Sequence, residues 1–158
     1  MKKLAAIALG SNLESRFGDR EANLWEAVER IRDLGDVKAV SPAYDTEPVG
    51  YLDQPRFLNA TLLLESSLEP AELMRALLEV ERAMGRERVG AVVKGPRVID
   101  LDLLLYGQAV VNTTELTLPH PEMMERRFVL EPLAEIAPEM VHPVLGLTVV
   151  EMLARVRT

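Results

Sequence analysis

The strongest constraint on how this chain folds is the order in which two kinds of periodicity alternate along it. Short apolar runs bounded by turn residues read as strands at "KLAAIAL" (3–9), "VKAVSPAY" (37–44), "RFLNATLLLES" (56–66) and "RVIDLDLLLYG" (97–107). Between them lie two segments of helical spacing. One runs from Asp19 to about Leu34, with Leu24, Trp25, Ala27, Val28 and Ile31 on one stripe until Gly35 ends it. The other opens at Pro70 and repeats through Leu73, Leu77, Val80 and Met84 to Gly85. The resulting order, β-α-β-β-α-β with further pieces behind it, predicts an α+β fold: a ferredoxin-like α/β sandwich with a mainly antiparallel sheet and additional C-terminal elements.

Five finer expectations complete the outline. "DTEPVGYLDQP" (45–55) carries two prolines and a glycine and reads as a long loop, as does the basic connection "RERVGAVVKGP" (86–96). "QAVVN" (108–112) is expected to pair with the 97–107 strand as a hairpin across Gly107 and Gln108. "TLPHPEMMERRFVLEPLAEIAP" (117–138) opens with prolines and turns helical from about Glu122, and a short helix starts from about Thr148.

Length and composition set limits on function. With 158 residues and no repeat or linker, one domain over 1–158 is expected, and the chain is read as a monomer. The absence of cysteine excludes disulfides and thiolate metal sites, and suits a reducing compartment. The lysines and apolar run at the N-terminus break at Gly10, which reads as a first strand rather than a leader, so a cytoplasmic location is expected. No run approaches the ~20 apolar residues of a membrane span. A net charge of −7 opposes nucleic-acid and acidic-membrane partners. Against that background Arg82, Arg86, Arg88, Lys94 and Arg97 cluster around a single acid, Glu87, which points to a compact anionic ligand.

The residues with the most chemistry lie in the last strand. Alternation puts Ile99, Leu101, Leu103 and Leu105 on one face and Asp100, Asp102, Leu104 and Tyr106 on the other. The two aspartates then stand about 7 Å apart on one face, within reach of a common hard cation. Oxygen ligands without nearby His or Cys favour Mg²⁺, which takes one or two carboxylates and completes its shell with phosphate and water. A strand with a wet second face would carry the same pair, but like charges on one face call for compensation. Arg97, three residues ahead, and Arg86 or Arg88 from the basic connection offer it, and each could equally just solvate a loop. His120, held between two prolines, suits donation to phosphate, while His142 reads as structural. Glu81 falls on the inward side of the second helix, as a ligand or an arginine partner. Phe57 and Asn59 share a strand face, a platform for a planar heterocycle or simply core. No Walker A sequence occurs. A metal-dependent phosphohydrolase and a non-enzymatic ligand-binding module stay open at this stage.

Six blocks in order, "ALGSNL", "SPAYDTEPVG", "QPRFLNA", "ERAMGR", "GPRVIDLDLLLYG" and "LTLPHPEMMERRFVLEPLAEIAP", resemble the 6-hydroxymethyl-7,8-dihydropterin pyrophosphokinase family of folate biosynthesis. The resemblance implies transfer of the β,γ-diphosphate of ATP to the hydroxymethyl group of the pterin, giving AMP. It implies that Asp100 and Asp102 hold two Mg²⁺ ions and act in catalysis with Arg86 and Arg97. It places Glu81, Arg86, Arg97, Leu103, Thr117, His120 and Arg126 at ATP, and Thr46, Glu47, Val49, Phe57, Asn59 and Phe128 at the pterin. Lys94, Glu115 and Pro121 depart from the family pattern, at places where some members carry tryptophan, arginine and an aromatic.

Overall fold

The computed structural model describes residues 2–48, 52–85 and 96–156. Five strands form the main sheet: β1 (Lys3–Ser11), β2 (Asp36–Val40), β3 (Tyr44–Thr46), β4 (Phe57–Ser66) and β5 (Asp100–Tyr106). Every pairing is antiparallel, in the order β5-β1-β4-β2, with the short β3 also pairing with β4. This is the ferredoxin-like order expected from the sequence, with helices α1 (Arg20–Ile31) and α2 (Pro70–Ala83) as the crossovers. The Asp19 side chain caps α1 by accepting from the Ala22 amide at 2.9 Å. A capping box between Glu69 and Glu72 opens α2 at Pro70. Gly35 lets the chain leave α1 close to β4, because a Cβ there would sit 2.3 Å from the Glu65 carbonyl oxygen.

The sheet has a different cover on each face. Ala5, Ile7, Leu9, Leu62, Leu64, Leu101 and Leu103 point toward α1 and α2 and are buried against Leu24, Ala27, Val28 and Ile31 of α1 and Leu73, Leu77 and Val80 of α2, whereas Trp25, which shares the helical spacing in the sequence, is exposed. On the opposite face Ala6, Leu63, Leu104 and Leu105 pack under α3 (Arg127–Ile136) and α4 (Val149–Arg155). Four buried leucines in β5 explain why a strand carrying two aspartates forms at all. Each contributes about 1.5–3 kcal/mol on burial, against a β-propensity range of only about 1 kcal/mol.

Four expectations change in detail. Strand alternation in β5 holds from Asp100 to Leu103, but a bulge opposite Ala6 and Ile7 inserts Leu104, so Leu105 joins Leu104 under α3 while Tyr106 turns to the α2 side. There Tyr106 donates to the Ser66 carbonyl at 3.0 Å. "QAVVN" does not pair with β5: β6 (Val111–Asn112) pairs with β7 (Thr117–Leu118), a separate two-stranded ribbon closed by Thr113 and Leu116. The 37–44 run divides into β2 and β3 around Ser41 and Pro42, since proline cannot donate to the ladder, and β3 extends to Thr46 into the segment read as loop. The turn at Met123–Glu125 is 3-10 before α3 begins. Among the described residues, no helix is long and apolar enough to cross a membrane.

Candidate active site

Cross-strand register builds the site. Gly10 on β1 lies opposite Asn59 on β4 and opposite Asp100 on β5, and one step along Ala8 lies opposite Asp102. Directly paired residues share a face. Asp100, Asp102, Asn59 and Phe57 therefore project on the α3 side, around a floor of the two smallest side chains in that row. α3 and α4 cover only the far half of this face, and the near half stays open as a cleft of about 300 Å³.

One end of the cleft is built from a hydroxyl, an amide and an aromatic ring. Asn59 Nδ2 donates to Thr46 Oγ1, and Phe57 and Glu47 stand beside them. Gly10 makes this possible: a Cβ there would come within 2.9 Å of Asn59 Oδ1 and push the amide away. Phe128, at the start of α3, lines the same cleft.

The other end is charged. Arg97 Nη1 lies 3.3 Å from Asp100 Oδ2. Its guanidinium also stands 5.9 Å from the Phe57 ring centroid, and that of Arg126 stands 5.5 Å from Phe128, so each aromatic carries a cation. Arg126 pairs with Glu122. His120 Nδ1 accepts from the Glu122 amide at 3.2 Å, so in the neutral ring Nε2 carries the proton, 4.0 Å from Asp102 Oδ1. Burial, and then the charge of Arg126, lower the His120 pKa from its usual range and keep the ring neutral. Glu81, only 2% exposed, accepts from the Leu101 amide through Oε2 at 2.8 Å and so fixes the outer edge of β5 between the two aspartates.

The cleft thus brings together Thr46, Phe57 and Asn59 from the strands and Glu47 just after β3 at one end, Arg97 just before β5 with Asp100 and Asp102 on it, and His120, Arg126 and Phe128 from the C-terminal segment, with Glu81 beneath. Leu103 packs in the α1–α2 core and Thr117 is exposed on β7, so neither side chain lines it. Val49, Arg86, Arg88 and Lys94 lie outside the described residues. Glu115 forms an ion pair with Arg75 of α2 at 3.2 Å. His142 is buried in a turn, accepting from the Val144 and Leu145 amides, in keeping with its structural reading.

Reasoning from the sequence missed Asn12. Its side chain, 2% exposed, donates to Gln54 Oε1 and the Pro55 carbonyl and accepts from the Arg97 amide at 2.8 Å, joining the two segments that flank the cleft. A buried amide directly after an apolar strand, in "GSNL", was the available signal. Met74 and Leu78 of α2, also missed, supply an apolar wall.

An α+β sandwich whose open sheet face pairs a carboxylate couple with an aromatic and amide pocket suits a small-molecule enzyme of the phosphoryl-transfer type. The comparisons carry this to a family. A family model described as 7,8-dihydro-6-hydroxymethylpterin-pyrophosphokinase (HPPK) matches residues 6–138, and the chain belongs to that family. It is 46% identical over 138 residues to the 2-amino-4-hydroxy-6-hydroxymethyldihydropteridine pyrophosphokinase of Bacillus subtilis, covering 86% of this chain and 79% of that one. With the protein of the same name from Methylorubrum extorquens it shares 44% over 153 residues, 96% of this chain and 92% of that one. The folic acid synthesis protein fol1 of Pneumocystis carinii is 41% identical over 144 residues, and there the match spans 90% of this chain but only 19% of the relative. Among solved structures, a triple mutant of Plasmodium falciparum HPPK-DHPS with SDX-DHP superposes with a TM-score of 0.79 at 16% identity, over 98% of this chain and 44% of that one, a likeness of fold.

Proposed function

We propose that this protein transfers the β,γ-diphosphate of ATP to the hydroxymethyl group of 6-hydroxymethyl-7,8-dihydropterin, releasing AMP, as a monomer in the cytoplasm. The observation that carries the reading is the division of one cleft into a neutral, hydrogen-bonding end at Asn59 and Thr46 and a charged end at Arg97, Asp100 and Asp102. The first suits a flat heterocycle with an amide edge, and the second a triphosphate. Membership of the HPPK family and the names of its bacterial relatives support the same reaction.

The donor set fits Mg²⁺. Among the described residues no three His, Asp or Glu side chains converge into a cage, and the two β5 carboxylates offer what a magnesium–nucleotide complex requires from protein. Two such ions, held by Asp100 and Asp102, would supply Lewis-acid charge at the triphosphate oxygens. The chain's own residues do the rest. Asn59 and Thr46 orient the heterocycle, with Phe57 and Phe128 excluding water around it. Arg97 exchanges its contact with Asp100 for the phosphate and offsets charge that develops as the diphosphate leaves AMP. His120 donates from Nε2 to a phosphate oxygen, and Arg126 adds a second cation.

Incubation with ATP, Mg²⁺ and the reduced pterin tests the proposal. AMP formed only with pterin present supports it. Phosphate released without pterin would instead indicate a phosphohydrolase, and binding of both ligands without product would indicate a non-enzymatic module.

A further inference from the structure

Arg20 and Asp45 each sit where local preference disfavours them. Arg20 is the first residue of α1, where the positive end of the helix dipole repels a cation, and Asp45 is the middle residue of β3, although Asp is depleted in strands. Local rules broken in two places that meet in space point to a purpose beyond either element. Arg20 Nη2 donates to Asp45 Oδ2 at 3.0 Å, and Arg56 Nε donates to Asp45 Oδ1 at 2.9 Å. Each guanidinium also grips backbone: Arg20 Nη1 donates to the Arg56 carbonyl at 3.0 Å, and Arg56 Nη2 to the Asp45 carbonyl at 3.1 Å.

These four bonds close a ring over the start of α1, the middle of β3 and the residue before β4. Between its second and third members the chain leaves the sheet at Glu47 and returns at Phe57. Immediately inside the ring stand the groups at the neutral end of the cleft. Thr46 pairs with Phe57 in the ladder, Tyr44 pairs with Asn59, and Asn59 donates to Thr46. A three-residue edge strand has little ladder of its own to hold that register. An exposed ion pair adds little to global stability, but a ring with two arginines on one carboxylate fixes geometry.

We propose that Arg20, Asp45 and Arg56 are positioning residues that hold Thr46, Phe57 and Asn59 in place for the heterocycle. The ring sets affinity for that substrate by ordering its pocket before it arrives, and leaves the charged end of the cleft unaffected. This rests on the reading that the pterin occupies the Asn59 end. Because the ring is partly exposed, salt weakens it.

The test combines AMP-forming kinetics with fluorescence titration of 6-hydroxymethylpterin and of a non-hydrolysable ATP analogue against Arg56→Ala, Asp45→Arg and the double variant Asp45→Arg/Arg56→Asp. Arg56→Ala is expected to raise KM and Kd for the pterin about tenfold, as lost preorganisation does, with kcat and ATP-analogue affinity within about twofold. Asp45→Arg is expected to lose at least as much. The double variant restores opposite charges between positions 45 and 56 and gives Arg20 a carboxylate at position 56, while it loses, as Arg56→Ala does, the Arg56 Nη1 pair with Glu47 Oε1 at 3.6 Å, so it is expected to bind pterin severalfold better than Asp45→Arg and to regain the salt dependence. Unchanged pterin affinity in Arg56→Ala would overturn the proposal. So would parallel losses in kcat, ATP-analogue affinity and melting temperature, the mark of a merely structural role. If the wild type binds the pterin but forms no AMP, weakened binding in Arg56→Ala sustains the ring while the catalytic reading falls. If the wild type binds no pterin, both fall.

Discussion

The two ends of the cleft are built on opposite principles. At the neutral end the polar groups satisfy one another: Asn59 bonds Thr46, Gly10 gives the amide its space, and the Arg20–Asp45–Arg56 ring braces the outside. At the charged end the groups hold one another through contacts that a ligand can replace, with Arg97 at 3.3 Å from Asp100 and His120 at 4.0 Å from Asp102. The difference follows from the ligands each end suits. A neutral heterocycle gains little from charge and much from fixed geometry, whereas a polyanion needs countercharges able to change partners.

The contrast between the two ends fails outright if the aspartates are dispensable. Asp100→Ala or Asp102→Ala is expected to lower turnover by roughly 10³-fold or more with far-ultraviolet dichroism and melting temperature little changed, since both side chains lie at the cleft surface. Turnover near wild type in either variant would remove the metal assignment. Next in size, Arg97→Ala is expected to lower the chemical rate by about 10²-fold while ATP affinity changes much less, as for a charge used in the transition state. Single-turnover kinetics that show only weaker ATP binding would contradict this.

At the other end the expected losses are smaller and fall on affinity. Gly10→Ala places a methyl group 2.9 Å from Asn59 Oδ1, and about a tenfold rise in KM for the pterin is expected, with the ATP-analogue Kd unchanged. Were the losses at Gly10 and Arg97 to fall on the same kinetic constant, the two ends would not be separate devices.

Much of this division was legible in the sequence. The βαββαβ order, both crossover helices, the shared face of Asp100 and Asp102, and the inward placement of Glu81 all follow from short-range periodicity, which local sequence encodes. What escaped depends on partners distant along the chain. The bulge at Leu104 is set by register against Ala6 and Ile7, roughly a hundred positions earlier, and it sends Leu105 and Tyr106 to faces that alternation reverses. β6 chose β7 over β5 because Thr113 and Leu116 close that ribbon through three bonds. Asn12 joins Pro55 to Arg97, and no periodic pattern marks a residue whose role is a junction. Thr117 and Leu103 came from family resemblance; the Thr117 side chain is exposed, that of Leu103 lies in the core, and neither lines the cleft.

The smallest expected effect concerns how the neutral end is tied to α3. The Tyr44 hydroxyl donates to Glu135, linking β3 to the helix that begins beside Phe128. That bond, followed by burial and the charges of Glu135 and Glu131, raises the Tyr44 pKa from 10.0 to about 12. A tyrosine whose pKa is raised on folding contributes stability that is fully present below about pH 10 and lost as pH rises through about 12. The contribution is small, because the bond joins two side chains at the protein surface, and Tyr44→Phe is expected to cost less than about 1 kcal/mol. The difference in phenolate absorbance between wild type and Tyr44→Phe isolates this one side chain. A midpoint near 12 confirms the link to Glu135, and one near 10 shows that β3 is held by its ladder and the ionic ring alone.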